Sequence, residues 1–396
     1  MPSVVIHNVR ELRERYEKVL VVGEGAYGRV LKATERITKE IVALKSIPLC
    51  SGDKEGFPIS TIREINQLKT FNHNNVLSLR YLLLVSDTKE GWATCSRSEA
   101  YLVFDYVPHD LTGIISDPGI LMNEASIKSY MQQLLTAVVH VHSFGSMHCD
   151  IKSSNVLVKY DGTVKLADFG LARFKNPNPN VTYCNNVVTR WYRPPELLLG
   201  DNKYNEKIDV WAVGCILAEF MDRRPIYPGS DEKDMCARIF SMMGVPTNST
   251  WNNVEGLKLY RVMTSGIAKG PSLRDHFASF RGFVVVDLLE ALLQIDPNKR
   301  ISAEQALRHP WFSQAPEPSK SALKLPTESR NESWVKKQFA EQEKRRMQSH
   351  QQQMLRNGNR KRSIDTLNAS QPPPKKQQKI TNTVRYNGHT ITNTIH

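Results

Sequence analysis

The sequence predicts an α+β fold: a small, mostly β lobe carrying one helix, ahead of a larger, mainly helical lobe. Three observations predict it. Residues 19–48 read as strand, glycine turn, strand, polar turn, strand. After Pro108 the apolar period lengthens to that of helices. A chain of 396 residues that is 40% apolar exceeds one average domain and can bury a sizeable core.

Val19-Leu20-Val21-Val22 leads into Gly23-Glu24-Gly25-Ala26-Tyr27-Gly28, then Arg29–Ala33, a polar turn over 35–40, and Ile41–Lys45. A helix is expected from Ser60, a plausible cap, to Phe71, with Ile62, Ile65 and Leu68 at helical spacing. Val76–Val85 and Ala100–Tyr106 read as two more strands. Ile127, Met131, Leu134, Leu135, Val138 and Val139 mark one face of a long helix ending near Gly145. Another strong helix is expected over Asp209–Met221, and Pro310-Trp311-Phe312 closes the last. Beyond Ser313 the composition changes. A polar, basic helix is expected over 331–357, with no regular structure from Gln371 onward.

No apolar run is long enough to cross a bilayer, and the start lacks the pattern of a secretory signal. The six cysteines form no Cys-x-x-Cys, so free thiols in a reducing compartment are expected. The net charge of +13 is uneven: Ser313–His396 holds sixteen Lys/Arg against six Asp/Glu, or +10, leaving +3 for the rest. A basic tail on a nearly neutral body points to addressing or tethering. Its Lys336, Lys337, Lys344, Arg345 and Arg346 are not interleaved with aromatics in the way of single-strand binders, so direct nucleic-acid binding is not expected.

Gly23, Gly25 and Gly28 fit a Gly-x-Gly-x-x-Gly turn, where missing side chains let backbone N–H groups approach phosphates. The turn joins two strands, which argues against a dinucleotide site. Lys45 ends an apolar strand and needs an anionic partner, and Glu64, nineteen residues on, is the natural candidate. Asp150 sits in His148-Cys149-Asp150-Ile151-Lys152-Ser153-Ser154-Asn155, and Asp168-Phe169-Gly170 follows that asparagine by thirteen residues. A side-chain amide and a carboxylate at Asn155 and Asp168 suit a hard cation such as Mg²⁺. Together these parts suit phosphoryl transfer, which asks for positioning and charge neutralisation.

From Tyr16 to Phe312 the chain resembles a eukaryotic protein kinase catalytic domain, and the cyclin-dependent kinases in particular. Pro58-Ile59-Ser60-Thr61-Ile62-Arg63-Glu64 is similar to that family's cyclin-contacting helix, and Trp191–Gly200 to the end of its activation loop. The resemblance implies a bilobal kinase fold, with a five-stranded antiparallel N-lobe sheet, one regulatory helix and ATP in the cleft. It implies that Asp150 orients the substrate hydroxyl and accepts its proton, while Lys152 steadies the γ-phosphate. It places Phe104 behind the adenine, Val22, Val30, Ala43 and Leu157 around it, and Asp105, Val107 and Asp110 along the hinge. Arg300 would pair with Glu196. The Val187-Val188-Thr189 segment, with Arg193, implies substrates with proline directly after Ser or Thr.

His109-Asp110-Leu111-Thr112-Gly113 and Arg193-Pro194-Pro195-Glu196 resemble the transcription-associated branch, which acts on the C-terminal domain of RNA polymerase II and elongation factors. A cyclin partner and a nuclear location follow. Arg360-Lys361-Arg362 and Lys375-Lys376 read as a two-part import signal, or as a solvated charge run. The alternatives are a cell-cycle kinase of the same family and a cyclin-binding scaffold with weak catalysis.

Two positions depart from the family. Cys149 stands where relatives have an arginine, and Cys184 where they have the phosphorylated threonine that it holds. Losing both is self-consistent and predicts a loop ordered by the cyclin, or by Arg63 and Arg173 reaching other acceptors. Phosphate on Thr182 or Thr189, or a Cys149–Cys184 disulfide, are the alternatives. Tyr27 is either a regulatory site or a cover for the loop.

Overall fold

The computed structural model describes residues 3–25, 28–47, 58–86, 98–176, 178, 181–185, 187–280, 284–319, 323–348, 383–386 and 389–392. They fall into two units, Met1–Lys337 and Gln338–His396.

The first unit opens with strand β1 (Ser3–Asn8) and helix α1 (Val9–Arg15). Next come β2 (Tyr16–Gly25), β3 (Gly28–Glu35), β4 (Ile41–Ile47), α2 (Ile59–Thr70), β5 (Leu79–Ser86) and β6 (Ser98–Asp105). The sheet order is β1-β5-β6-β4-β3-β2. Strands β2 to β6 form the expected five-stranded antiparallel sheet. A sixth strand is added: β1 lies parallel to β5, Ser3 opposite Tyr81 and Asn8 opposite Ser86. The Val-Val-Ile run at its centre favours a pleated strand.

The start of α2 also differs from expectation. Pro58, not Ser60, is the N-cap, and its carbonyl accepts from Ile62 N–H at 3.1 Å. Proline fixes φ where the first helical N–H groups need no partner. Ile59 and Ile62 point outward, 66% and 47% exposed, while Thr61, Glu64, Gln67 and Leu68 are buried.

The C-terminal lobe begins with β7 (His109–Asp110), α3 (Leu111–Ser116) and the long α4 (Glu124–Ser143). Short strands β8 (Ser146–Met147), β9 (Val156–Val158), β10 (Val164–Leu166) and β11 (Arg173–Phe174) carry the loops between them. Helix α5 (Pro195–Leu198) precedes α6 (Lys207–Asp222), which is buried on nearly every side and forms the centre of the lobe. Helices α7 (Glu232–Met243), α8 (Tyr260–Thr264), α9 (Leu273–His276), α10 (Val284–Leu292) and α11 (Ala303–Leu307) pack outside it. Arg300 and Glu196 form the expected pair, bidentate at 2.7 and 2.9 Å, and almost fully buried. The Arg300 guanidinium also lies 5.1 Å from the Trp211 ring centroid.

Folded structure continues past Phe312. Lys128, with no exposed surface, donates to the carbonyls of Gln314 and Pro316, both at 2.9 Å. A helix occupies 332–348. In the second unit Thr383–Tyr386 pairs antiparallel with His389–Thr392, where no regular structure was expected. The intervening Asn387-Gly388 is a two-residue hairpin signature. The basic clusters at 360–362 and 375–376 lie outside the described residues, as do Ala26 and Tyr27.

Candidate active site

A cleft of about 420 Å³ lies between the sheet and the C-terminal lobe. Its roof is Val22, Gly23, Glu24, Gly28 and Val30 from the first hairpin and Ala43 from β4. Phe104, Asp105 and Val107 form the connecting wall, and Leu157 on β9 the floor. Residues far apart in sequence thus converge on one cleft. The hairpin needs glycine at Gly28, where φ is 117° and a Cβ would lie 2.5 Å from the Ser46 carbonyl oxygen. Gly25 pairs with Gly28 at the end of the hairpin.

Lys45, on β4, reaches both Glu64 oxygens at 2.8 Å and Asp168 Oδ1 at 2.8 Å. Burial alone would lower the lysine pKa, but the two carboxylates outweigh it and hold the ammonium charged. Burial raises Glu64, partly offset by Lys45, whereas Lys45 overcomes burial at Asp168 and holds that carboxylate low. The pairing fixes α2 against the sheet and aims Asp168, held at φ 65°, into the cleft.

The segment from His148 to Asn155 is built on Asp209 of α6. Asp209 accepts from His148 N–H at 2.8 Å and Cys149 N–H at 2.9 Å, which holds Cys149 at φ 63°. The next residue, Asp150, is thereby set beside Lys152 and Asn155. Its Oδ1 accepts from Thr189 N–H at 2.9 Å and Thr189 hydroxyl at 2.7 Å. Its Oδ2 accepts from Lys152 Nζ at 3.0 Å and Asn155 Nδ2 at 3.2 Å. Lys152 and Asn155 line the same cleft.

The site suits a hard cation. Asn155 spends its amide nitrogen on Asp150, leaving Oδ1 as an acceptor, and Asp168 keeps Oδ2 free of Lys45. Among the described residues no cluster of three or more His, Cys, Asp or Glu forms a cage. Two protein oxygens completed by phosphates and water are what Mg²⁺ ordinarily accepts.

Beyond Asp150 the loop turns at Val188, whose φ is 66°. A β-branched residue in that region is strained and must be held. Its carbonyl accepts from Arg193 Nε at 3.3 Å and Nη2 at 3.0 Å, and its N–H donates to the Cys149 carbonyl at 2.9 Å. Arg193 is itself paired with Glu232. The chain from Thr189 to Arg193 is braced from below. Tyr192 hydroxyl donates to buried Glu219 at 2.6 Å and meets Ser153 Oγ at 2.8 Å. Burial pushes Glu219 up to about 7, against the lowering effect of Tyr192.

Residues 16–312 match the protein kinase domain. The chain belongs to the protein kinase family. This kinase is 40% identical over 310 residues to human cyclin-dependent kinase 9, covering 77% of the chain and 82% of that protein. It is 41% identical to cyclin-dependent kinase C-1 of rice (Oryza sativa subsp. japonica), covering 76% of the chain and 59% of the relative. It is 36% identical to CTD kinase subunit alpha of Schizosaccharomyces pombe, covering 81% and 52%. The chain therefore spans between half and three fifths of these last two relatives. The crystal structure of the yeast RNA Pol II CTD kinase CTDK-1 complex superposes with a TM-score of 0.68 at 32% identity, covering 78% of the chain and 96% of that one. The kinase sits in the cyclin-dependent branch, whose members use ATP and Mg²⁺.

The kinase cleft has one wall the sequence did not reveal. Asn331, Glu332, Ser333 and Lys336 line it. They are held there by a strap that crosses the connection between the lobes. Asp110 N–H donates to the Arg330 carbonyl at 3.0 Å, and Arg330 N–H to His109 Nδ1 at 3.0 Å. The Arg330 guanidinium pairs with Asp117 at 2.6 Å, and Tyr106 hydroxyl meets Ser329 Oγ at 2.8 Å. Asp110 was expected to bind nucleotide. It lines the cleft, but its oxygens already accept from Gly113 N–H and Glu332 N–H, both at 2.8 Å. Burial raises its pKa to about 7 in spite of those bonds. The one sequence signal for the strap is Gly113, at which a Cβ would lie 2.2 Å from the Arg330 carbonyl carbon.

Proposed function

We propose that this chain is a cyclin-dependent serine/threonine kinase that transfers the γ-phosphoryl group of ATP to Ser or Thr preceding proline. The RNA polymerase II C-terminal domain is the substrate class we assign. The observation that carries the reading is the orientation of Asp150. Four hydrogen bonds, from Thr189, Lys152 and Asn155, fix its carboxylate beside two residues that line the cleft, Lys152 and Asn155. A substrate hydroxyl beside it finds an acceptor for its proton, while Lys152 stands next to the phosphoryl group in transit. Lys45, kept cationic by Glu64, anchors the nucleotide phosphates. Mg²⁺ held by Asn155 and Asp168 would neutralise the phosphate charge.

The preference for proline follows from Val188. Arg193 draws its carbonyl away from the substrate path, so no acceptor meets a backbone N–H at the residue after the acceptor, and proline has none to leave unpaired. The cyclin contact is assigned to α2, where exposed Ile59 and Ile62 flank Pro58, Ser60 and Arg63 and sit one turn from Glu64. The relatives' names support the polymerase as substrate; a nuclear location goes with that substrate, and the import role of Arg360–Arg362 with Lys375 and Lys376 rests on their basic clusters.

The test is turnover of the complex purified from cells on Ser-Pro and Ser-Ala peptides, polymerase repeats and histone, with Lys45→Met and Asp150→Asn as controls. Wild-type turnover no better than the controls would sink the kinase reading in favour of a scaffold. Preference for histone would move the chain to the cell-cycle branch, and the co-purifying cyclin identifies the partner.

A further inference from the structure

We propose that the groove between α7 and α8 docks an acidic segment of the substrate, anchored by one or two apolar side chains and separate from the Ser-Pro acceptor. The inference rests on the kinase reading above and concerns how a substrate is recruited to that site.

The groove is a cavity of about 530 Å³. One wall is the face of α7 that carries Lys233, Ala237, Arg238 and Ser241. The other holds Met263 of α8 and Ile267 just beyond it. Backbone and side-chain bonds tie this second wall to its neighbours. Gly270 N–H donates to the Ser241 carbonyl at 2.8 Å, and Leu259 N–H to the Leu199 carbonyl at 3.1 Å. The Tyr260 hydroxyl donates to the Pro246 carbonyl at 2.7 Å. The groove is thus preformed, and an occupant is spared the cost of ordering it.

Charge decides what fits. Between Glu255 and Asp275 the chain carries Lys258, Arg261, Lys269 and Arg274 and no acid. Arg274 is paired with Asp287 and Glu290, and Arg238 with Asp234 at 3.1 Å. Lys233, Lys258, Arg261 and Lys269 are exposed, and among the described residues none has a carboxylate partner. Beside these cations Met263 and Ile267 are only half-buried, and Val262 is 61% exposed. An acidic chain complements the rim, while its apolar side chains leave water for the cavity.

The place of the groove points to the substrate as the source of that chain. Lys233 follows Glu232, which pairs with Arg193, and Arg193 holds the Val188 carbonyl. The groove therefore begins one residue from a contact of the segment that selects the acceptor. From Glu232 to Ser241 α7 advances about 14 Å, the reach of roughly four extended residues. A segment tethered roughly 4 to 12 residues from the acceptor can span this, and tethering converts a weak contact into a high effective concentration.

The experiment uses the full-length kinase with its bound cyclin. A Ser-Pro acceptor peptide is joined, at either end, through four, eight or twelve Gly/Ser residues to Glu-Glu-Leu-Glu-Glu-Phe. Two controls replace every Glu by Gln, or Leu and Phe by Ser. At one spacing the acidic peptide is expected to raise kcat/KM roughly 5- to 30-fold over the acceptor alone, through KM, with less gain at high salt. Both controls should lose most of that gain. In the double variant Lys233→Glu, Lys269→Glu, and separately in Ile267→Asp, the ratio of linked to unlinked kcat/KM should fall towards one, whatever happens to the absolute rate. A wild-type ratio near one at every spacing overturns the proposal, as does a ratio that survives in both variants. Fluorescence anisotropy of the labelled acidic segment supplies a further arm. Binding that the variants abolish, with no gain on linking, would assign the groove to a separate acidic partner and overturn the substrate assignment. Absence of turnover on the unlinked peptide instead overturns the kinase reading, and this inference with it.

Discussion

Thr189 donates both its backbone N–H and its hydroxyl to a single oxygen, Oδ1 of Asp150. The loop that selects the substrate is thereby fastened to the group that orients the reacting hydroxyl. Thr189→Val keeps the shape and the N–H but removes one of the two bonds. We expect kcat to fall about 10- to 100-fold with KM for ATP unchanged, and Thr189→Ser to recover most of it. Steady-state kinetics with ATP and peptide varied separately check this. An unchanged kcat would mean that the second bond does not orient Asp150.

Gly113→Ala tests the strap. The new methyl cannot coexist with the backbone of Arg330 and Asn331, at 2.2 to 2.4 Å. The helical propensity of alanine favours α3, so lost docking is separable from a damaged helix. Residues 327–337 should become sensitive to limited proteolysis, and KM for ATP should rise about tenfold as Asn331, Glu332 and Lys336 leave the cleft. Wild-type resistance in the variant would contradict the packing.

Glu219 predicts a pH effect on stability. Its pKa is raised from 4.5 to about 7 in the folded kinase, so the folded state binds a proton that the unfolded chain releases earlier. Stability contributed by this group therefore falls as pH rises from about 4.5 to about 7, then stays level. Glu219→Gln keeps an acceptor for Tyr192 but does not titrate. Relative to wild type it should gain with rising pH, by roughly 3 kcal/mol at pH 8 compared with pH 4. Urea unfolding at both pH values measures the difference. A constant offset between the two proteins would contradict it.

Arg300→Ala removes one half of a buried, bidentate pair and leaves Glu196 charged and without that partner. The expected loss is about 3–5 kcal/mol. Chemical denaturation should show this as a lower midpoint at an unchanged slope. The double variant Arg300→Met, Glu196→Leu should lose less than the single one, because no charge is then stranded.

The cleft was legible in the sequence because phosphate binding imposes constraints that sequence displays: glycines where backbone must approach, a lysine ending an apolar strand, carboxylates at fixed separation. Other features were not legible, for identifiable reasons. Ile62 fits the helical period of α2, but periodicity cannot distinguish a face buried in the core from one left for a partner. Ser60 resembles a cap, yet Pro58 already fixes the turn before it. The strap was invisible because its anchors are mostly backbone groups, such as the Arg330 carbonyl and the Glu332 N–H, which every residue type possesses. Only Gly113 carried its imprint, and a single glycine after Asp-Leu-Thr does not announce what passes over it. The sixth strand is written only in Val4-Val5-Ile6, whose strand preference does not say which sheet edge it joins.

The buried Lys128 ammonium has an implication for how the molecule is made. Its acceptors at Gln314 and Pro316, like the Glu332 N–H that donates to Asp110, lie on a stretch translated some two hundred residues later. At about 5–20 residues per second, a ribosome exposes Lys128 and Asp110 for about nine seconds or more before that stretch is made. Once Asp209 has been made, the catalytic loop can be complete while the nucleotide cleft still lacks a wall. A nascent chain stalled at Phe312 would hold every residue of the matched kinase domain, with an ammonium lacking both carbonyls and a cleft open along one side.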